Sequence, residues 1–306
     1  MLVYSQPWLI AVLLFICAAG LAGMIDGLQG LGQRLLADGY SNPFLNIPIS
    51  FMHTDLEAAQ KSLKTVGEQI KSIGLHADLA PLVFCFTGSG NVAQGAMEIF
   101  ELLPHEYIAV SELKTLAKDI KSGKRGSNKL YGVKVSTEMV RPKSGSGIPV
   151  NEPINSVHYF ANPDMYEPCF HENIAPYITM LINGIYWDNR FPRLLTKDQL
   201  AELWESGNTN LKMVADISCD INGSLELLTQ STTIEKPFFS YMPKTRTQDD
   251  TINKDGILVL GVDILPSELP RDASHHFSKA LVELIPSILK SDGASADAPL
   301  DDLSPE

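Results

Sequence analysis

The chain has 306 residues, of which 44% are hydrophobic, and a formal net charge of −12 at pH 7. This length suits one large domain or two, with enough apolar side chains for a sizeable core. The acidic balance argues against a nucleic-acid partner, because phosphate binding needs clustered Lys and Arg. The four cysteines form no CxxC pair and favour a reducing compartment.

An apolar segment occupies residues 1–21. No charged residue lies between Pro7 and Ile25, and the segment from Trp8 to Cys17 is apolar throughout. Three interpretations stay open: a buried helix that connects domains, a signal peptide or membrane anchor, and an incorrectly assigned start. No Lys or Arg precedes the segment, unlike in a typical secretory signal, so a membrane partner is the disfavoured alternative.

Two helices are predicted in the connecting region, residues 22–75. Four leucines between positions 28 and 36 fall on one helical stripe, which ends before Gly39. Asp55 can cap the second helix, whose apolar face includes Leu63, Val66 and Ile70. The charged residues on its other face indicate an ordinary solvated surface.

A strand, a glycine turn and a helix follow one another at residues 82–100. The run Leu82–Thr87 is apolar, as a strand covered on both faces must be, and Ala93 begins a helical period. Glycine permits the turn and lets the backbone approach a pyrophosphate without a Cβ in the way. The pattern predicts the first half of a dinucleotide-binding βαβ unit, the alternative being a tight turn with no ligand. The cofactor contacts predicted here are Gly88, Ser89, Gly90, Asn91 and Val92.

A second strand is predicted at Glu106–Val110. Glu112 lies at about the distance from the glycines at which Rossmann units place the acid that binds the adenosine ribose. A carboxylate there would repel a 2′-phosphate, whereas Lys114 and Lys118 could pair with one. The alternative is an ordinary acidic residue in the first turn of a helix at Leu113–Ile120.

Apolar runs predict four more strands, Leu130–Val135, Tyr177–Tyr186, Leu211–Ser218 and Gly256–Leu265, with a helix at Thr196–Trp204. Ligands of open α/β sheets bind outside the carboxyl ends of the strands, although a polar residue there can also be a simple cap. The polar candidates are Asn183, Gly184, Tyr186, Asp216, Ser218, Asp220 and Asp263. The predicted fold class is α/β: a Rossmann-like doubly wound parallel sheet with helices on both faces, over residues 76–266, plus part of a second lobe.

A last helix is predicted after Pro270, within residues 267–292, and it would return to the second lobe. Its predicted buried face consists of Phe277, Leu281, Leu284, Ile285, Ile288 and Leu289. Residues 293–306 form an acidic tail that we expect to be disordered.

The spacing of the histidines and cysteines does not indicate a metal site. His158, Cys169 and His171 lie in a stretch that reads as irregular, and Cys-x-His without a matching second pair is poor zinc spacing. We therefore predict no metal site. Cys85 and Cys219 lie in predicted strands, where they would be small core residues.

Seven sequence blocks carry a resemblance to a known family. They are AGMID at 22–26, FTGSGNVAQGA at 86–96, INGIYW at 182–187 with PRLLT at 192–196, DIS at 216–218, NGSLE at 222–226, TTIEKPF at 232–238, and VDILPSELPRDAS at 262–274. In this order they resemble the saccharopine dehydrogenase (lysine-forming) family, and within it the lysine–ketoglutarate reductase part of the animal bifunctional enzymes of lysine degradation. The family is similar to the alanine dehydrogenase/transhydrogenase-like superfamily.

The resemblance implies a reductase that joins lysine and 2-oxoglutarate through an imine and reduces the imine to saccharopine with NADP(H), or alternatively NAD(H). It also implies a mitochondrial location and leaves room for a homo-oligomer. The cofactor-binding residues that it adds to the glycine turn are Tyr186, Ile217, Val262, Asp263, Ile264, Leu265 and, with a looser alignment, Glu112. The substrate-binding residues that it implies are Ser218, Cys219 and Asp220.

The chain departs from this family at its start. Family members have a substrate lobe before the connecting helix, and that lobe supplies a Lys and a His as acid/base pair; no residue from Met1 to Ala18 matches those positions. The catalytic residues are therefore unknown, and we expect a fragment that is nearly inactive alone. A truncated gene model and a genuine short product both stay open. The alternative function is a non-catalytic nicotinamide-nucleotide-binding protein or sensor.

Overall fold

The computed structural model describes residues 7–149 and 152–290. Residues 1–6 and the predicted tail lie outside the described residues. The helices are α1 (Pro7–Ala37), α2 (Leu56–Ile73), α3 (Asn91–Phe100), α4 (Leu113–Lys121), α5 (Ser156–Ala161), α6 (Phe170–Asn173), α7 (Lys197–Glu205) and α8 (Pro270–Lys290). The strands are β1 (Val83–Thr87), β2 (His105–Tyr107), β3 (Leu130–Val135), β4 (Val140–Pro142), β5 (Tyr166–Pro168), β6 (Met180–Asn183), β7 (Met213–Asp216), β8 (Phe238–Met242), β9 (Thr247–Asp249) and β10 (Ile257–Leu260).

One sheet of eight strands organises the fold, in the order β2-β3-β1-β6-β7-β10-β8-β9. The strands from β2 to β10 in this order run parallel, and β8 and β9 add an antiparallel edge. Strands β4 and β5 pair separately. The predicted fold class, an α/β doubly wound and mostly parallel sheet, is confirmed.

Helices cover both faces of the sheet, and the alternation of side chains along β1 shows how. Phe84 and Phe86 point into a core shared with α1, α2 and α3, whereas Val83 and Cys85 point into a core shared with α4, α6 and α7. Successive side chains of a strand face opposite sides, so a strand buried on both faces must be apolar throughout. This explains the unbroken apolar run before the glycine turn.

Helix α1 joins the apolar segment and the predicted leucine stripe into one helix. Most of its side chains from Ala18 to Leu35 are buried. A Cβ on Gly20 would overlap the carbonyl oxygen of Val92, so α1 and α3 cross with their backbones in contact. In the described part of the chain, no helix combines the length and apolarity that crossing a membrane requires.

Several local predictions are confirmed. Asp55 caps α2, because its Oδ1 accepts a hydrogen bond of 2.9 Å from the Ala58 N–H. Thr196 caps α7 in a capping box with Gln199. Gly39 follows the end of α1 with φ of +97°.

The second predicted strand is wrong in its bounds. Strand β2 ends at Tyr107, and Val110–Glu112 forms a 3-10 turn in place of a strand end. The carboxylate of Glu112 accepts a hydrogen bond of 2.8 Å from the Ala109 N–H. This bond closes the turn and leads the chain out of the sheet.

Other predictions extended elements too far or missed them. Strands β6, β7 and β10 are shorter than the predicted runs, and β4, β5, β8, β9, α5 and α6 were not predicted. Cys219 is not in a strand, because it lies beyond β7 with φ of +52°. Phe277 is 42% exposed, contrary to its predicted place on a buried helix face.

Candidate functional site

A cavity of about 690 Å³ opens at the carboxyl ends of β1, β6 and β7. Parallel strands bring these ends to one edge of the sheet, which is where open α/β sheets bind ligands. The lining comes from the glycine turn after β1, the segment from Gly184 to Trp187 after β6, and Ser218 and Asp220 after β7. The sequence predicted polar residues at three strand ends, and the structure brings those after β6 and β7 to this cavity, but not Asp263 after β10.

The glycine turn has the backbone geometry that its sequence predicts. Gly88 has φ of +90°, and a Cβ on it would lie 2.8 Å from the carbonyl oxygen of Gly184. Only glycine fits this position. Gly90 is the N-cap of α3, and no atom lies within 4 Å of the place where its Cβ would be. The backbone at Gly90 is therefore open toward the cavity.

The turn fits the pyrophosphate of a dinucleotide. The first turn of a helix presents backbone N–H groups that have no partner within the helix, together with the positive end of the helix dipole. The first turn of α3 borders the cavity, and its N-cap residue, Gly90, has no Cβ. A phosphate in the cavity could therefore reach the backbone N–H groups. The residues that would hold it are Gly88, Ser89, Gly90, Asn91 and Val92, all of which line the cavity.

Four further predicted residues line the cavity: Gly184, Tyr186, Ser218 and Asp220. The side chain of Tyr186 is 83% exposed and makes up part of the mouth. Burial raises the pKa of Asp220 above its ordinary value. Their roles toward cofactor and substrate remain predictions.

Other predicted residues do not line this cavity. Ile217 and Leu265 are buried against Gly23 of α1, and Val262 is fully buried. Cys219 turns its thiol away to donate to the carbonyl oxygen of Gly261 at 3.1 Å, and burial raises the pKa of this thiol to about 12. The last two members of this group, Asp263 and Ile264, are exposed.

Glu112 also lies outside the cavity lining. Its carboxylate pairs with the guanidinium of Arg125 and accepts the Ala109 N–H. The Ala109 hydrogen bond, with Arg125 assisting, lowers the pKa of Glu112. Strand β3 separates β2 from β1, so the segment that carries Glu112 follows a strand that is not adjacent to the glycine turn.

An aromatic wall was not predicted. Tyr159, Phe160, Trp187 and Phe191 line the cavity, and the guanidinium of Arg193 lies 4.8 Å from the ring centroid of Trp187. Such a wall suits a planar ring. No periodicity marks these residues in the sequence, because two of them come from the short helix α5 and two from an irregular loop.

The end of β3 was likewise missed, although Ser136 and Thr137 line the cavity. The signal was present, since both follow a correctly predicted strand, Leu130–Val135. The sequence pattern instead indicated the preceding strand, β2, as the one whose end contacts the cofactor, because β2 is the next strand after the glycine turn in the chain.

A buried polar network ties the strand ends together beneath the cavity. Asn183 Nδ2 donates to Asp216 Oδ1 at 2.9 Å, to Ser218 Oγ at 3.1 Å and to Ser224 Oγ at 3.0 Å. Thr87 Oγ1 donates to Asn183 Oδ1 at 2.8 Å. The network fixes the ends of β1, β6 and β7 relative to one another.

Asp216 is the charged member of this network. Burial raises its pKa to about 7, while the hydrogen bonds from Asn183 and Ser218 oppose the rise. Its Oδ2 has no hydrogen-bond partner among the described residues. Near neutral pH this carboxyl can therefore hold or release a proton directly below the cavity.

The histidine and cysteine candidates make separate contacts. His158 Nδ1 is 2.8 Å from the hydroxyl of Tyr166, and the Cys169 thiol lies 3.4 Å from the carbonyl oxygen of Glu138. His171 Nε2 lies 3.4 Å from Glu172. In the ranges that the structure covers, no three His, Cys, Asp or Glu side chains are grouped to hold a metal ion.

Comparison with known proteins gives close relatives over most of the chain. The chain is 42% identical over 277 residues to alpha-aminoadipic semialdehyde synthase of Arabidopsis thaliana, which covers 88% of this chain and 26% of the relative. It is 36% identical over 294 residues to the mitochondrial alpha-aminoadipic semialdehyde synthase of Rattus norvegicus, covering 90% of this chain and 30% of the relative. The chain thus spans less than a third of the length of these relatives.

More distant matches are shorter or weaker. Saccharopine dehydrogenase [NAD(+), L-lysine-forming] of Emericella nidulans is 28% identical over 114 residues, which are 36% of this chain and 27% of that protein. Among solved structures, an L-alanine dehydrogenase matches 93% of this chain and 56% of its own, with 13% identity and a TM-score of 0.44. No protein-family model matches the chain.

Proposed function

We infer that this chain, which is homologous to one part of the alpha-aminoadipic semialdehyde synthases, is the dinucleotide-binding part of a lysine–ketoglutarate reductase. The single observation that supports this most is the glycine turn whose cap at Gly90 is open to a cavity at the strand ends. The homology provides the substrate class, which is lysine, 2-oxoglutarate and saccharopine. A bound nicotinamide would supply the hydride that reduces the lysine–oxoglutarate imine.

The residues of this chain would bind and orient. The first turn of α3 would hold the pyrophosphate, and the aromatic wall would shield a planar ring from water. Ser218 and Asp220, at the end of β7, would approach the substrate. Cys219 is a weaker candidate, because its thiol points to Gly261 and away from the cavity.

The cofactor is proposed as NADP(H), as the resemblance implies, or NAD(H). The two differ only by a phosphate on the adenosine ribose, so charged groups near that ribose decide between them. The mitochondrial location that we propose follows the rat relative, whose name describes it as mitochondrial.

The alternative function is a protein that binds a nicotinamide nucleotide without catalysis, as a sensor. It rests on the same cavity. Saccharopine separates the two functions, because a reductase part should bind saccharopine together with the dinucleotide, and a nucleotide sensor should not.

Calorimetric titration of the 306-residue chain with NADH and NADPH tests the proposal. We expect saturable binding of at least one of them. For the reductase function we also expect the oxidised nucleotide, NAD+ or NADP+, to bind more tightly in the presence of saccharopine, because saccharopine and the oxidised nucleotide are the pair that hydride transfer leaves behind. Dinucleotide binding that ignores saccharopine selects the sensor. No binding of either nucleotide at millimolar concentration would contradict both functions.

The variant Gly90→Asp sharpens this test. Aspartate is a good helix N-cap, so α3 should remain folded, but its carboxylate would face the phosphates. We expect affinity to fall roughly tenfold to a hundredfold through charge repulsion. The control is Thr65→Asp, which adds the same charge on the exposed face of α2, outside the cavity lining, and should leave affinity unchanged.

A further inference from the structure

The polar network beneath the cavity reaches it through one side chain. Ser218 lines the cavity, whereas the other four members are each no more than 2% exposed and lie outside the lining: Thr87, Asn183, Asp216 and Ser224. A ligand in the cavity therefore does not touch Asp216, although Asp216 is the charged member. Any effect of the network on a ligand must pass through the hydroxyl of Ser218.

With Asp216 ionised, the Ser218 hydroxyl hydrogen is turned away from the cavity. A serine hydroxyl has one hydrogen to donate and two lone pairs. Asn183 Nδ2 donates to Ser218 Oγ at 3.1 Å and occupies one lone pair, and the hydroxyl donates to Asp216 Oδ1 at 3.2 Å. The other acceptor in reach, the Asn183 carbonyl oxygen, is uncharged and 3.4 Å away, so the carboxylate is preferred. The remaining lone pair faces the cavity, where Ser218 can only accept a hydrogen bond.

With Asp216 protonated, the direction of this hydrogen bond reverses. Within the described residues Asp216 Oδ2 has no hydrogen-bond partner, whereas Oδ1 faces a hydroxyl that can accept. The acid proton is therefore held best on Oδ1, from which it donates to Ser218 Oγ. Both lone pairs of Oγ are then occupied, one by Asn183 and one by Asp216. The hydroxyl hydrogen is free to turn to the cavity, where Ser218 becomes a donor.

Both states are accessible near neutral pH, and the groups around Asp216 do not mask its titration. Burial raises the pKa of Asp216 to about 7, and the charge of Asp220 adds to this rise. Burial also raises the pKa of the Cys219 thiol to about 12, so this thiol stays neutral in the same range. The side chains that neighbouring elements direct into the network do not titrate: Thr87, Asn183 and Ser224.

The cations of the cavity lining are paired with other acids. Arg190 binds Asp188 at 2.7 Å, and Arg193 lies 3.2 Å from Glu226. At the end of β7 the lining consists of Ser218 and an acid, Asp220. The direction of the Ser218 hydroxyl therefore decides whether a carboxylate finds a side-chain donor there.

We propose that Asp216 is a positioning residue that sets whether Ser218 donates or accepts a hydrogen bond in the cavity, and so whether a carboxylate or an ammonium group binds at the end of β7. A protonated Asp216 frees the Ser218 hydrogen for a carboxylate oxygen, and an ionised Asp216 leaves a lone pair for an ammonium N–H. The inference rests on the proposed function for its ligands, because 2-oxoglutarate supplies carboxylates and lysine supplies ammonium groups.

The coupling of the two side chains is measured first, without a ligand. Carbon-13 NMR of the 306-residue chain, labelled at the Asp carboxyl and the Ser Cβ carbons, follows each group with pH. We expect the Ser218 signal to move with the same midpoint as the Asp216 carboxyl, near pH 7. The control is Ser224, which accepts from Asn183 and makes no hydrogen bond with Asp216, so its signal should stay constant.

Two variants test this coupling from its two ends. Asp216→Asn keeps an acceptor for Asn183 and cannot titrate, so the Ser218 signal should no longer change with pH. Ser218→Ala removes one donor to the carboxylate, so the pKa of Asp216 should rise by about one unit above that of the unchanged chain.

The ligand preference is then measured by calorimetry, below and above the midpoint. The probes are 2-oxoglutarate and 1,5-diaminopentane, which is lysine without its carboxylate. We expect 2-oxoglutarate to bind about tenfold more tightly below the midpoint and 1,5-diaminopentane to show the opposite dependence, because each gains or loses a charge-assisted hydrogen bond. Ser218→Ala should leave the smaller dependence that the charge of Asp216 causes by itself. Ser206→Ala, at the exposed end of α7 and outside this lining, should keep the full dependence.

The outcomes separate this inference from the function beneath it. A Ser218 signal that does not follow Asp216, or that still titrates in Asp216→Asn, would overturn the inference. An unchanged pH dependence of binding in Ser218→Ala would overturn it as well. If the two side chains titrate together but neither probe binds, the ligand assignment is wrong, and the dinucleotide titration above decides the proposed function independently.

Discussion

Two places in the described part of the chain bury carboxyl groups, and they do so in different surroundings. Below the cavity, Asp216 lies at the end of β7 and accepts hydrogen bonds from Asn183 and Ser218. In the core around α1, Asp26 and Glu268 are both buried, and Asp26 makes ionisation of Glu268 less favourable. The first site surrounds its carboxyl with donors, and the second places two acids together.

The core pair has few donors. Asp26 Oδ1 accepts the Ser50 N–H at 2.7 Å, but within the described residues Asp26 Oδ2 and both carboxylate oxygens of Glu268 accept no further side-chain hydrogen bond apart from the proton that the two acids can share. Burial raises the pKa of Glu268 to about 9, and Asp26 adds to the rise. Burial also raises the pKa of Asp26, although a hydrogen bond with Glu268, hydrogen bonds from Ser50 and the nearby His53 oppose this. Asp216, with more donors, rises only to about 7. The comparison shows that hydrogen-bond donors, as well as burial, determine how far the pKa of a buried carboxyl rises.

The largest effect that we expect is a loss of stability when the pH is raised and the buried pair of Asp26 and Glu268 becomes charged. The folded pKa of Glu268 lies above the ordinary value of 4.5, so between 4.5 and about 9 the folded chain binds more protons than the unfolded chain. The free energy of unfolding should therefore fall as the pH rises through this window, on the order of a few kcal/mol in total. Denaturant unfolding at a series of pH values measures it. Glu268→Gln should flatten the dependence, and Glu57→Gln, on the exposed face of α2, should not.

Removing the other member of the pair should have a moderate effect. Asp26→Ala leaves the buried Ser50 N–H without its acceptor, which costs about 1–3 kcal/mol. Urea unfolding at mildly acidic pH, where Glu268 is protonated, measures this loss apart from charge repulsion. The exposed Asp78→Ala is the control. A value below the error of the method would show that water or a shifted backbone group satisfies Ser50.

The cavity carboxyl should give the smallest effect, and it should appear in binding. Above a pH of about 7, Asp216 becomes negative below a site that we propose for an anionic dinucleotide. Affinity should fall across this pH by less than about tenfold, since the interaction is worth about 1 kcal/mol or less at this separation and screening. Asp216→Asn keeps an acceptor for Asn183 and should bind with a flatter pH profile. An equal pH dependence in both proteins would assign the titration to another group.

The sequence predicted the glycine-turn strand and its helix well because local chemistry determines them. The apolar run of β1, the φ requirement at Gly88 and the cap at Asp55 are all set by residues close together in the chain. The order of strands is different, because β3 enters between β1 and β2 through contacts that no local pattern encodes. Counting residues from the glycines therefore led to Glu112.

The aromatic wall and the buried network were beyond sequence reasoning for a related reason. Asn183 and Ser224 are 41 positions apart, yet their side chains meet at 3.0 Å. Polar residues were expected at strand ends, but which of them point into the cavity and which into the core depends on how each strand ends. Ser218 lines the cavity while its neighbour Cys219, with φ of +52°, turns away.

The insertion of β3 also constrains how the chain assembles. Strand β2 is attached to the sheet only through β3, which follows it by more than twenty residues in the sequence. During synthesis, the segment from His105 to Tyr107 emerges first and must wait unpaired until Leu130–Val135 docks against β1. A pulse-labelling experiment should therefore find the amides of β2 protected no earlier than those of β3.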